Sequence, residues 1–244
     1  LSYLAHCQIS RNNLSKDMAG TLIIDTPAIL RFYNPVDVPL PANCRGYIQC
    51  RRYISISNTH QSFQLFNCYF FTGPHKTSRQ LELLKSIRTV SNTLPSFFCG
   101  DFNFIVSPSD SSSLNPSLPP ASFLAEFSAF KDFFDISEAP HSEHTHFHLT
   151  HDVNSPFSHS SRIDRFYVPS LSLHSPLFDP AVSVFPHSSN YRPPSSSDPR
   201  SSFSDHLPIL LSFHTDPVEE RSRRSIPLWI ALSPEFESSL RTKW

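Results

Sequence analysis

One stretch constrains the fold more than any other: Phe97-Phe98-Cys99-Gly100-Asp101-Phe102-Asn103. A short apolar run ends in Gly, then Asp, then Asn two positions on. The run Leu94 to Cys99 reads as a buried strand, so the two polar groups arrive at its C-terminal end, where open α/β sheets place their ligands. Strand alternation puts Asp101 and Asn103 on one side. A carboxylate there can take a proton or help hold a metal. A carboxamide beside it can donate to a phosphate oxygen and accept from a water. An Asx turn capping the strand uses the same residue types, so the rest of the chain has to decide between them.

The 244 residues fit one large domain, or one domain with tails. A hydrophobic content of 39%, with 22 phenylalanines, supplies a sizeable core. The net charge of −1 excludes a globally basic nucleic-acid binder, so any such binding must come from a local patch. With 4 glycines against 23 prolines, turns must lean on Pro, Ser, Asn and Asp. The five cysteines, Cys7, Cys44, Cys50, Cys68 and Cys99, form no CxxC pair and no zinc spacing. An odd number without a signal peptide points to reduced thiols and an intracellular location, nucleus or cytoplasm. No run approaches the ~18 apolar residues of a membrane span. The first residue is Leu, which suggests a fragment, a processed product or a trimmed chain.

Alternating strands and helices predict an α/β fold. Expected strands are Thr21–Asp25, Tyr47–Ser57, Ser62–Phe71, His144–Thr150, Ser161–Val168 and a final one reaching Phe213, the second and third pairing as a hairpin. Leu81, Leu83, Leu84, Ile87 and Val90 predict an amphipathic helix over Lys76–Val90, with its bases on the solvated face. Phe123, Leu124, Phe127, Phe130 and Phe134 predict a second over Ala121–Phe134. Asn12-Asn13, the Pro-rich Phe32–Pro41 and the Ser/Pro-rich Pro169–Ser202 read as loops. The apolar spacing of Ile226–Trp244 suggests a short helical appendage. The His-rich segment (His141, His144, His146, His148, His151) lacks Cys or carboxylate partners at regular spacing and reads as surface.

Three polar signatures stand at strand ends among apolar neighbours: Asp101 with Asn103, Asp164, and Asp205-His206. A carboxylate in such a place is costly unless paired or functional, and three of them suggest one cleft. Phosphodiester hydrolysis needs these types: an activated water, charge relief at the phosphate and help for the leaving oxygen. Asp101 can orient the attacking water, and Asn103 can hold a phosphate oxygen. His206 can act as base or donor, with Asp164 on its other nitrogen fixing the tautomer. Asp205 can ligate a hard cation such as Mg²⁺. Arg162 can contact substrate or brace a loop, and Asp110 reads as a turn residue. Arg45, Arg51, Arg52, Lys76, Arg79 and Arg192 can meet phosphate or simply be solvated.

Gly100-Asp101-Phe102-Asn103, Ser161-Arg162-Ile163-Asp164-Arg165-Phe166 and Ser204-Asp205-His206-Leu207-Pro208-Ile209 resemble, in order, the last three motifs of the endonuclease/exonuclease/phosphatase superfamily. The form of the second motif is most similar to the apurinic-endonuclease-like domain of non-LTR (LINE-type) retrotransposon polyproteins. The Cys-Asp-Arg variant typical of inositol polyphosphate 5-phosphatases is not there. The resemblance covers roughly Gly20 to Phe213. It implies a DNase I-like two-sheet α/β sandwich with flanking helices, over residues 1–215. Residues 216–244, with Arg224 to Trp229, look like the linker toward a reverse-transcriptase-like region.

The resemblance further implies Mg²⁺ or Mn²⁺ as cofactor, DNA as partner, and catalytic roles for Asp101, Asn103, Asp164, His206 and Tyr69. Asn67-Cys68-Tyr69 matches the family's Asn-x-Tyr strand, whose Tyr contacts phosphate, and Thr145 matches its Thr-aromatic pair. Asn67, Thr145 and Arg162 are thus the substrate-side candidates and Asp205 the metal ligand. The family's opening strands, with an Asn or Asp and then a metal-ligating Glu, have no counterpart: residues 1–81 contain no glutamate. A DNA-nicking endonuclease that is weak or inactive in this form is the leading expectation. An apurinic endonuclease or phosphoinositide phosphatase of the same fold, or a degenerate nucleic-acid-binding remnant, are the alternatives.

Overall fold

The protein is seen in a computed structural model that describes residues 8–13, 20–57, 61–73, 75–149, 157–174, 179–184, 206, 207 and 209–214. Strands β1 (Gln8–Asn13) and β2 (Gly20–Asp25) pair antiparallel as a two-stranded ribbon. Helix α1 (Pro27–Leu30) leads to β3 (Tyr33–Val38), β4 (Ile48–Ser55) and β5 (Phe63–Tyr69). Then come α2 (Lys76–Ile87), β6 (Ser96–Asp101), α3 (Ala121–Phe134) and β7 (Ile136–Glu138). The chain continues through β8 (His146–Leu149), β9 (Phe157–Ser161), β10 (Asp164–Pro169), α4 (Ser170–His174), β11 (Asp179–Val184) and β12 (Ile209–His214).

Six strands form the central sheet in the order β3-β4-β5-β6-β10-β7. Its pairs are antiparallel except β5 with β6, which α2 joins as a crossover. One face of the sheet carries the helices. Phe123, Phe127, Phe130 and Phe134 repeat at spacings of three and four, so one stripe of α3 is aromatic and buried. Phe66 and Phe98, on adjacent strands, stack at 4.2 Å beneath it. Leu83, Leu84 and Ile87 of α2 complete this core. The alternate residues of β4 and β5 face the ribbon instead. Arg51 and Tyr53 meet the buried Asp25, at 2.9 Å and 2.5 Å, and Asn67 donates to the Leu22 carbonyl at 3.0 Å.

Several expected boundaries shift for identifiable reasons. Asn12-Asn13, read as loop, lies in β1, because pairing with Gly20 and Thr21 outweighs weak asparagine propensity. Phe32–Pro41 contains β3 despite Pro35, which is tolerated because β3 is the last strand at one side of the sheet. The expected strand Ser161–Val168 is interrupted at Arg162 and Ile163. There the Arg162 N–H goes to the Asp110 carbonyl and the Ile163 carbonyl accepts from Phe102. Part of Pro169–Ser202 forms α4 and β11 rather than loop. The expected tail helix, residues 215–244, Arg192 and Asp205 lie outside the described residues.

Candidate active site

Gly100 sets the floor of the site. Its φ of +126° is open to glycine, and a Cβ would lie 2.0 Å from the Cys68 carbonyl oxygen on β5. The close approach brings β5 and β6 into a parallel register that sets Tyr69 beside Asp101. On the other side of β6, Asp101 pairs in register with Asp164, the first residue of β10. Two carboxylates thus meet at one end of the sheet.

After Asp101 the chain turns through Asn103 in the left-handed region at φ 51°, a conformation asparagine tolerates. The turn folds the Asn103 backbone N–H onto Asp101 Oδ1 at 2.8 Å and its side-chain amide onto Oδ2 at 2.8 Å. The same amide nitrogen donates to the Phe70 carbonyl at 2.9 Å. Both amide hydrogens are engaged, so Asn103 orients Asp101 in this arrangement. The local form is an Asx turn, and it is also part of the cluster.

His206 comes from the other end of the chain. Its Nδ1 lies 2.9 Å from Asp164 Oδ2 and its Nε2 3.9 Å from Asp101 Oδ2. Thr145 holds this geometry from behind. The buried Thr145 accepts the Leu207 N–H at its carbonyl (2.7 Å) and the Asp164 N–H at its hydroxyl (3.2 Å). His146 then packs its ring on His206, centroids 4.6 Å apart.

Burial, and then the neighbouring Asp164 charge, push the Asp101 carboxyl up to about 7, against the lowering effect of His206 and the Asn103 bonds. Ligand atoms of Asp101, Asp164 and His206 all lie within 4.8 Å of one another. Two facing carboxylates with an imidazole beside them fit a divalent cation.

The structure brings Asp101, Asn103, Asp164 and His206 together, with Thr145 behind them and Tyr69 in register beside Asp101. Asn67 ties β5 to β2 through the Leu22 carbonyl. Arg162 is held in ion pairs with Asp110 and Glu138, so its guanidinium braces the loops that flank the site.

That brace was illegible as a whole. Asp110 is fully buried, and burial alone would raise its carboxyl. Arg165, the Val106 N–H and Arg162 overcome this and hold it below the usual range. Its oxygens accept from the Val106 N–H, the Ser107 N–H and both arginines. The Ser107-x-x-Asp110 spacing is a capping-box signal and was the only local trace of it.

No protein-family model and no curated protein matches the sequence. Solved structures do. The endonuclease domain of TRAS1, a telomere-specific non-LTR retrotransposon, matches at TM-score 0.53 and 15% identity, over 85% of this chain and 78% of that one. An AP endonuclease from Archaeoglobus fulgidus matches at TM-score 0.53 and 14% identity, over 86% and 80%. D. rerio TDP2 complexed with single-strand DNA product matches at TM-score 0.50 and 13% identity, over 86% and 78%. The chain therefore has the DNase I-like fold shared by the endonuclease/exonuclease/phosphatase proteins.

Proposed function

We propose that this chain carries a metal-assisted phosphodiester-hydrolysing site that acts on DNA, of the nicking type found in non-LTR retroelements. The observation that supports it most is the 2.9 Å contact of His206 Nδ1 with Asp164, with Asp101 in register opposite that aspartate. Donation from Nδ1–H to Asp164 fixes the tautomer and leaves the Nε2 lone pair to take the proton of the attacking water. Asp101, held by Asn103, orients that water. Tyr69, one strand over from Asp101, supplies a hydroxyl toward the phosphate, and Asn67 sets its strand.

Asp101 would hold the cation, Mg²⁺ or Mn²⁺, with Asp205, next to His206 in sequence, as second carboxylate. When bound, such an ion neutralises charge on the phosphate and acidifies a bound water. Activity is weak, because residues 1–81 offer no glutamate to extend the carboxylate set. Residues 216–244 would lead to a reverse-transcriptase-like region of a parent polyprotein that meets DNA in the nucleus or cytoplasm.

The test is nicking of supercoiled plasmid by the chain with Mg²⁺ or Mn²⁺, beside its His206→Ala variant. Slow cation-dependent nicking that falls by about 10²-fold or more in the variant is expected. Nicking equal in both proteins sinks the catalytic assignment. An apurinic endonuclease is the second reading, favoured by the likeness to the Archaeoglobus enzyme. Cleavage restricted to an oligonucleotide with one abasic site would select it.

A further inference from the structure

At the rim of the site, just past the end of β5, an arginine is held in place with no carboxylate paired to it among the described residues. Arg79, on the first turn of α2, sets its guanidinium carbon 4.5 Å from the centroid of the Phe71 ring. Phe71 in turn packs edge-on against Tyr47 at 5.8 Å. Its backbone is pinned from below, since the buried Gln80 donates to the Phe71 carbonyl at 2.8 Å. Tyr47 is joined to the site directly: its carbonyl accepts from the N–H of Tyr69, the residue in register with Asp101. A continuous packed path therefore runs from Asp101 through Tyr69, Tyr47 and Phe71 to Arg79.

Two basic side chains mark this rim. Arg51, Arg88, Arg162 and Arg165 are each tied to a carboxylate. Among the described residues neither Arg79 nor Lys76 is, and Glu82, one turn further along α2, makes no ion pair with Arg79. Lys76 precedes Arg79 by three residues, so the two share a helix face, and both are exposed. An arginine laid on an aromatic ring has already given up much of its rotamer freedom, while its N–H edges stay free for a planar, bidentate acceptor.

We propose that Arg79, seated on Phe71 with Lys76 beside it, docks the phosphate backbone of the DNA strand flanking the scissile bond, an assignment that rests on DNA being the substrate. The surface gives the otherwise neutral chain the local positive patch that its net charge of −1 does not supply. Contacts to the backbone position the strand and carry no base sequence.

The experiment is fluorescence anisotropy with a labelled duplex oligonucleotide and the full chain, in chelator so that no cleavage occurs, across a salt titration. Arg79→Ala should weaken binding several-fold and lower the salt slope by about one. Arg79→Lys should keep the slope while losing part of the affinity, because the charge stays and the seat on Phe71 does not. Lys85→Ala, on the same helix two turns away, should bind as the parent does. A parent chain that binds DNA, with Arg79→Ala matching it in affinity and slope, overturns the rim assignment alone. A parent chain with no salt-dependent DNA binding overturns the DNA reading, and the rim with it.

Discussion

At the scale of single residues the site is an electrostatic compromise at Asp101. Its carboxyl, ordinarily near 3.8, is pushed up to about 7, first by burial and then by Asp164. Between those two values the folded chain holds a proton that the unfolded chain has released. Stability therefore falls as pH rises through that window and levels off above it. Urea unfolding in chelator should show the parent losing stability from about pH 5 to about pH 7.5, relative to Asp101→Ala. The difference between the two proteins matters, because the half-buried His141, pushed down by burial and by Arg162, titrates in the opposite sense. Added Mn²⁺ should restore most stability at the high-pH end, where the carboxylate is free to bind it. A parent-minus-variant difference that is flat or rising with pH would refute the raised value.

These residues were legible because each stands alone in an apolar strand context, where a carboxylate needs a reason. Asp110 was not, because Ser-Pro-Ser-Asp also makes a sound local turn. Its long-range role lies with Arg162 and Arg165, more than fifty residues on, and no local pattern encodes that pairing.

At the scale of elements, what counts is how closely β5 and β6 approach. The Gly100→Ala variant places a methyl 2.0 Å from the Cys68 carbonyl oxygen and forces an L-residue to φ +126°. Neither contact can relax through a side chain, since the obstacle is backbone in the middle of the sheet. A loss of about 3 kcal/mol or more is expected by urea unfolding, with Gly73→Ala as comparison. Gly73 also has positive φ, but nothing lies within 4 Å of its added Cβ, so its cost is conformational only. Equal losses in the two would show that the strand contact contributes little.

The same scale explains which elements the sequence revealed. The phenylalanine stripe of α3 places the helix at Ala121–Phe134 because its period is local. Strand β3, by contrast, contains a proline and exists through pairing with β4, a partner that composition does not disclose.

For the whole molecule, buried ion clusters tie the layers at two places. Asp25 with Arg51 and Tyr53 fastens the ribbon to one face of the sheet. Asp110, with Arg162, Arg165 and Glu138, fastens the loop after Asn103 to the residues just before Asp164. Each aspartate neutralises an arginine that is itself buried, so removing either one leaves that arginine a longer carboxylate contact, Arg51 to Asp37 at 3.6 Å and Arg165 to Glu138 at 3.4 Å. A loss of about 3–5 kcal/mol is expected for Asp25→Ala and for Asp110→Ala alike.

Their effects on the site should differ. Asp110 adds a side-chain link between the segments that carry Asp101 and Asp164, whereas Asp25 lies on β2 against Tyr53, whose strand partner is Phe63 at the far end of β5. Stabilisation by Mn²⁺, read as a shift in unfolding midpoint relative to each variant's own metal-free midpoint, separates stability from site geometry. Asp25→Ala should retain the parent's shift, and Asp110→Ala should lose most of it. Equal retention in both would mean that Asp101, Asp164 and His206 hold their arrangement without the arginine brace.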